Sequence, residues 1–578
     1  MTREPHRQHR PSPPTAWWAL CLVASQLACA GRRPFEPVQP AADAAAGVAS
    51  SPDADAPDAD TPDGDAGTPV FAPSSGRRLT KDQYFHTVND LFGLDLSSSA
   101  AATLLPDDQP ASGGGFRDDN VALLPASART DAYELMATQI AEQVGWDATL
   151  APHVTCTDAV AECRDSFIRS LGRVLYRRPL TDGDVQNLEP LFDADGPGET
   201  AFETGARLVL QAMLQSPHFL YRLERRDSVD SSGQPAPSPF ELATRLSYFL
   251  WSSAPTPELL DAAERGDLGA KESLTAVVKS MSADGRARRG FESYAEDWLQ
   301  LYRLDARTPT PDLGVTAALI AEMKQESLAL LDRVALAEAG DFTRIFTDRT
   351  TLLGPALAQV YGVEPPASGF ASYDLSGDPH RLGILTEPGF LILDASPEQV
   401  TIVKRGLMIL RVFLCTELPA PPPGAAAQIA NLPANLTDRD RFALHANSGA
   451  CKGCHDTIDP LGYPFEPYDL AGRFRLQDSY GNTLRSDGQV TLDGTLQSYA
   501  DTAQFVELLA QSNEVHHCLM RKMFQYAMGR PLQLDPWSSD LTTIDELTRA
   551  FEGAGRNYAA ARTWIATSLP MRSWAAAP

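Results

Sequence analysis

Two thiols and an imidazole within five residues constrain this 578-residue chain more than any other feature. Cys451-Lys452-Gly453-Cys454-His455 spells C-x-x-C-H, the pattern to which a c-type haem is attached. Cys451 and Cys454 stand about one helical turn apart, so one turn presents both sulfurs to one edge of a macrocycle. There they add to vinyl groups as thioethers, and His455, next in the chain, offers its imidazole to the iron from the proximal side. The pattern therefore asks for a helical turn here and a pocket beside it. A redox dithiol and half of a zinc site share the spacing. Zinc needs four N or S ligands, and the sequence contains no second C-x-x-C and no H-x-x-x-H.

Residues 1–30 read as an export signal. Arg3, Arg7 and Arg10 form a positive region, and residues 16–28 (AWWALCLVASQLA) an apolar one. The apolar run is shorter than the roughly 18 residues a spanning helix needs. Ala28-Cys29-Ala30 fits a small-x-small cleavage site, whereas Leu27-Ala28-Cys29 resembles a lipoprotein box with Cys29 as the lipidated residue. Both readings put the body outside the cytoplasm, in the periplasm or at the cell surface, where c-type haem attachment takes place. Membrane contact enters only through a lipid on Cys29, since no later apolar run is long enough to span. Residues 31–76 are Ala, Pro, Asp, Ser and Gly, with Asp53, Asp55, Asp58, Asp60, Asp63 and Asp65 crowded together. So little apolar surface predicts a disordered linker.

A net charge of -26 argues against nucleic acid as a partner, because phosphate binding needs a basic face. It favours a basic redox partner protein. The cysteine count extends the argument. Of eight, Cys21 leaves with the signal, Cys29 is lipidated or removed, and Cys451 and Cys454 go to haem. Cys156, Cys163, Cys415 and Cys518 remain, and an even remainder in an exported chain predicts two disulfides rather than four buried thiols. Cys156 with Cys163 closes a short loop; inside one continuous helix they would lie about 10 Å apart along the axis, too far to pair. Cys415 with Cys518 then ties the segment before the haem motif to the segment after it.

The body predicts a mainly α fold of several helical domains, with a small C-terminal cytochrome-c-like haem region and few short strands. Thr80 with Gln83, Thr181 with Asp184, and Ser238-Pro239 with Glu241 are helix starts of the capping-box type. Leu79 staples onto Tyr84, and Gly93 ends the first helix. Helical periodicity continues over residues 300–336. Residues 383–385, and residues 488–492 before Asp493-Gly494, are the strand candidates. His86, His218 and Asp297 tempt a catalytic reading, but no nucleophile elbow, phosphate loop or zinc helix surrounds them, so they read as packed or capping residues.

After His455, residues Ile458, Leu461, Tyr463 and Phe465 are expected to rim the haem pocket. Pro460, Gly462, Pro464 and Pro467 are expected to keep this stretch out of regular helix. For the second axial position the sequence offers Met523 or Met528, with His445, His516 and His517 as other candidates.

The order of segments resembles a bacterial family, common in planctomycetes and myxobacteria, built from five consecutive domains of unknown function. One of these is named as a planctomycete-type cytochrome c domain. The resemblance rests on residues 78–84 (RLTKDQY) with 89–93 (NDLFG), on 167–179 (FIRSLGRVLYRRP), and on 210–223 (LQAMLQSPHFLYRL) with 242–250 (LATRLSYFL). It continues through 381–385 (RLGIL), 403–406 (VKRG), the C-x-x-C-H itself, 458–462 (IDPLG) and 526–530 (YAMGR). It implies that Cys451 and Cys454 carry one covalent haem c with His455 on the iron, and it brings no established reaction. The expected organisation is helical domains at 77–150, 151–228 and 229–375, a haem domain at 376–480, and a helical domain at 481–578 packed on it. The function expected is that of an exported c-type cytochrome-like protein transferring electrons with an unidentified partner or small-molecule substrate. Two alternatives stand beside it: a haem oxidoreductase or peroxidase with an open sixth site, and a cell-surface binding or scaffold protein with structural haem or none.

Overall fold

A computed structural model describes residues 76–573 except 97–102, 112–114, 121, 124–126, 155–160, 194–200, 226–227, 230–232, 234, 396–401, 421–432, 434 and 447–450. The segments expected to be an export signal and a linker, to residue 75, lie outside the described residues, as do Cys29 and Cys156. Cys163 is buried.

The described chain is mainly helical. A short strand β1 (Arg77–Arg78) leads into α1 (Lys81–Phe92), α2 (Ser127–Gln143), α3 (Ala161–Leu175), α4 (Asp182–Leu188) and α5 (Ala201–Gln215). Strand β2 (Tyr221–Arg222) returns to pair with β1. Next come α6 (Pro239–Trp251), α7 (Arg286–Trp298), α8 (Ala317–Asp332), and the strands β3 (Thr350–Leu353) and β4 (Ala371–Asp374). The C-terminal part holds α9 (Ile402–Phe413), α10 (Asp438–Ala446), α11 (Lys452–Gly462), β5 (Gly488–Leu492) and β6 (Thr495–Tyr499). It ends with α12 (Thr502–Gln511), α13 (Asn513–Met528), α14 (Ser539–Gly553) and α15 (Tyr558–Thr567). The described strands form three separate antiparallel pairs.

The helix starts follow from local chemistry. At α1 the Gln83 amide donates to Thr80 Oγ1 (3.1 Å) and the Thr80 amide to Gln83 Oε1 (3.2 Å). Gly93 closes the helix in the left-handed region at φ 65°. The same reciprocal cap opens α4 at Thr181 and α6 at Ser238. Residues 488–492 form the expected strand, and Asp493-Gly494 turns it into β6 with both residues at positive φ. Residues 383–385 do not form a strand. Gly383 takes φ 53° and its backbone lies so close to Phe346 that a Cβ would stand 2.1 Å from the Phe346 carbonyl oxygen; the chain continues into a 3-10 turn over Ile384–Thr386. The periodicity of residues 300–336 is interrupted before α8, where Thr310 and Val315 pair across a turn.

The five sequence segments share two cores. The first is built mainly from residues between Leu79 and Leu220, and the second from residues between Leu242 and Met571. Helix α6 serves both. Leu242, Leu246 and Leu250 enter the second core, while Tyr248 enters the first and bonds through its hydroxyl to Thr87 (3.0 Å). Phe116, from the first segment, is inserted into the second core. Buried charges sew the seam between them. Asp118 pairs with both Arg77 and Arg222 of the β1–β2 ribbon, and Arg117 pairs with Asp297 on α7. Burial still pushes the Asp297 carboxyl up to about 7.

A close helix contact lies in the region of the C-x-x-C-H motif. Helices α9 and α11 run antiparallel, with Gly406 against Ile458 and Ile402 against Gly462. A Cβ on Gly406 would lie 2.2 Å from the Ile458 carbonyl oxygen, and one on Gly462 2.0 Å from that of Ile402. Pro460 lies inside α11, contrary to the expectation that this stretch avoids regular helix. Its carbonyl accepts the Tyr499 hydroxyl (2.6 Å), and the helix runs on to Gly462 before a 3-10 turn. Just past the end of α9, Cys415 takes a left-handed backbone (φ 51°) and forms the expected disulfide with Cys518 on α13, Cα to Cα 5.4 Å. That bond spans a sequence separation of 103 residues, and the loop it closes contains the whole C-x-x-C-H motif.

Three outcomes follow from this packing. Gly462→Ala should force α9 and α11 apart and lower unfolding stability by about 2 kcal/mol or more, read by urea denaturation. Replacing Cys415 and Cys518 together by Ser should remove about 4–5 kcal/mol by the chain-entropy account in the same assay. Glu326 on α8 is fully buried and accepts from Thr351 and Tyr361; burial pushes its carboxyl up to about 7, and it pushes Glu387 well above the usual range, the adjacent Glu326 adding to the effect. A carboxyl raised from about 4.3 in the unfolded chain binds more protons when folded, so its contribution to stability is lost as pH rises through about 7. The melting temperature should therefore fall between about pH 5 and pH 8, and fall less in Glu326→Gln, which keeps the side chain neutral.

Candidate functional site

Helix α11 builds the motif as the spacing predicts. Cys451 stands at its N-cap, and the His455 amide donates to the Cys451 carbonyl (3.1 Å). Cys451, Cys454 and His455 therefore lie on one formed turn. Neither thiol is in a disulfide; Cys451 is buried, and Cys454 is half-buried against the second core. Gly453 between them meets nothing where a Cβ would stand.

His455 is held by a residue one turn on. Its Nδ1 lies 2.9 Å from Asp459 Oδ1, with the Asp459 side chain 3% exposed. A carboxylate accepts only, so Nδ1 carries the proton and Nε2 is left as the lone-pair atom that can bind a metal. This is the donor set a c-type haem requires: two free thiols on one turn, and an imidazole with its tautomer fixed by a buried acceptor. Helix α10 also packs on His455. Phe442 lies nearly parallel to the His455 ring at 5.9 Å, and His445 stands edge-on at 5.0 Å. Burial, with His455 beside it, holds the His445 imidazole below its usual range. Among the described residues, no group of three or more His, Cys, Asp or Glu side chains is arranged to hold a bare metal ion.

The expected rim residues are placed differently. Ile458, Leu461 and Phe465 point into the second core with α9. Tyr463 is half-buried under the Arg439 guanidinium, 4.1 Å from its ring centre. Phe442 and Asp459, which do touch His455, were not singled out from the sequence. The signal for Asp459 was there: an acidic residue four positions after a helical His shares its face. Phe442 carries no comparable mark, because α10 approaches α11 only in the fold.

The axial candidates are likewise sorted by position. Met523 is buried in the second core, and Met528 is half-buried at the C-terminal end of α13. That helix packs on α6, α7, α9, α14 and α15, whereas the ring and hydrogen-bond partners of His455 come from α10 and α11. On α13, His516 bonds through both ring nitrogens, to Glu552 and the Ala510 carbonyl, and His517 bonds to Asp545. His86 is bonded to the Ser252 carbonyl (3.2 Å), and Asp297 is matched by Arg117.

No helix among the described residues is long and apolar enough to cross a membrane. Five family models match the chain, each described as a protein of unknown function: DUF1587 over residues 77–145, DUF1595 over 163–224, DUF1592 over 238–363, DUF1588 over 381–478 and DUF1585 over 496–570. The model that spans Cys451, Cys454 and His455 carries the short name PSCyt3, a cytochrome-type name. No curated protein and no solved structure matches the chain. With all five segments matched in sequence order, the chain belongs to the planctomycete-type cytochrome c family, whose five consecutive domains are of unknown function.

Proposed function

We propose that this protein is an exported electron carrier with one covalent haem c, joined through Cys451 and Cys454 and bound at the iron by His455. The observation that carries the reading is the pair His455 Nδ1 to Asp459 Oδ1 at 2.9 Å, on a turn whose two thiols are both free. A dithiol switch has no use for an adjacent imidazole whose outer nitrogen is reserved by a buried acceptor. Haem so bound supplies reversible one-electron chemistry at iron. The chain's own residues do the rest. Asp459 orients the ring and, by taking the Nδ1 proton's hydrogen bond, makes Nε2 more basic, which favours the oxidised iron and lowers the reduction potential. Phe442 and His445 keep water from the ring, and the Cys415–Cys518 bond fixes the frame around the motif. That disulfide also supports export, since such bonds persist in oxidising compartments. A second strong ligand to that haem would come from His445, Met523 or Met528.

Protein made in a host competent for c-haem maturation should show a Soret band and a low-spin spectrum in both oxidation states, with no change on adding carbon monoxide. A carbon-monoxide-sensitive, high-spin reduced form would instead identify a haem enzyme with an open site, and absence of bound haem would leave the binding or scaffold reading. Asp459→Asn should raise the midpoint potential by tens of millivolts, about the effect of a lost charge-assisted hydrogen bond, read by spectroelectrochemistry. Cys454→Ser should leave at most one thioether.

A further inference from the structure

A second site lies outside the haem motif, in the N-terminal half. A cavity of about 420 Å³ opens where the end of α3, the strand β2 and the N-terminus of α6 converge, joining the segments matched at 163–224 and 238–363. Its size falls in the usual range for small-molecule sites. In a chain of net charge -26 its wall is cationic: Arg177, Arg178, Arg222 and Arg225 line it, against Glu241.

Two of these arginines are matched by acids, Arg178 by Asp184 (2.9 Å) and Arg222 by Asp118. The other two are not. Arg177 is 3% exposed; it donates to the carbonyls of Leu175, Phe219, His218 and Tyr221 and to the Tyr248 hydroxyl, and its guanidinium lies over the rings of Phe219 and Tyr248. Those bonds satisfy its donors and leave its positive charge without a carboxylate among the described residues. Arg225 is exposed at the rim, and its guanidinium has no hydrogen-bond or ion-pair partner among the described residues. Arg222 adds a second sign of an incomplete site: it is 5% exposed and its Nε donor is buried with no acceptor. Burying an uncompensated charge is unfavourable unless something of opposite sign sits nearby. Glu241 shares the wall, but its carboxylate accepts from the Ser238 and Arg225 amides at the start of α6 and forms no ion pair with these four arginines.

The remainder of the wall suits a hydroxylated body. Phe240 and Tyr221 offer apolar faces, and Tyr176, Ser228 and Thr244 add hydroxyls. His218 lines the cavity with its Nδ1 3.4 Å from Arg178. Guanidinium groups match carboxylate and phosphate geometry better than any other side chain. We infer that this cavity binds a small polyhydroxylated organic anion, its carboxylate or phosphate group held by Arg225 and Arg178 above the buried charge of Arg177. The site is separate from the haem motif and gives the N-terminal half a ligand-binding role of its own.

Calorimetric titration of the full-length holoprotein with glucuronate, glucose 6-phosphate and glucose tests this. At least one of the two anionic sugars should bind and neutral glucose should not; which anion binds distinguishes a carboxylate from a phosphate ligand. Arg225→Glu should weaken that binding by tenfold or more, the loss of one charge-assisted contact, with the melting temperature unchanged because Arg225 is exposed. Failure of both anions to bind at millimolar concentration, equal binding of glucose, or full affinity in Arg225→Glu would each overturn the proposal.

Discussion

The contact between α9 and α11 governs the C-terminal half of this protein. Two backbones approach until Gly406 and Gly462 touch carbonyl oxygens of the opposite helix, so neither position has room for a side chain. Because the helices are antiparallel, the end of α9 that leads to Cys415 lies at the same end of the pair as Cys451. The disulfide to Cys518 then anchors that end to α13. The C-x-x-C-H turn is thus attached to the second core along one side, while α10 covers it from another through Phe442 and His445. The proposed electron carrier would gain from such rigidity, since ligands that do not move on electron transfer keep reorganisation small.

Buried arginines recur as the means of holding irregular backbone. Arg405, next to Gly406, donates to the carbonyls of Leu391, Phe465, Tyr468 and Asp469, gathering the chain on both sides of α11; burial lowers it to about 10. Arg381 does the same for Thr386 and Gly472, and Arg177 for the turn before β2. In each case a planar group with five donors satisfies carbonyls that no helix or strand would. Arg177 also lines the cavity of about 420 Å³.

Much of the fold was legible in the sequence because the relevant signals are local. The caps at Thr80, Thr181 and Ser238, the Asp493-Gly494 turn and the one-turn spacing of Cys451 and Cys454 each depend on residues within reach of their neighbours. The Cys415–Cys518 bond was legible for a different reason: once the other cysteines were assigned, few pairings remained. What stayed hidden was tertiary. Ile458 and Leu461 have the composition of a pocket rim but serve the α9 contact. Pro460 reads as a helix breaker, yet it is accommodated where Tyr499 approaches its carbonyl. Phe442 meets His455 only through the docking of α10, and the cavity at Arg177 is made by residues from two separate segments.

Peptide mass spectrometry reads directly the proposed covalent attachment of haem at one turn of α11. Protein made with c-haem maturation should be proteolysed after alkylation and the fragment carrying Cys451 to His455 weighed. That fragment is expected at its sequence mass plus one haem, with neither Cys451 nor Cys454 alkylated. The same fragment at sequence mass, with both thiols alkylated or joined to each other, would contradict it.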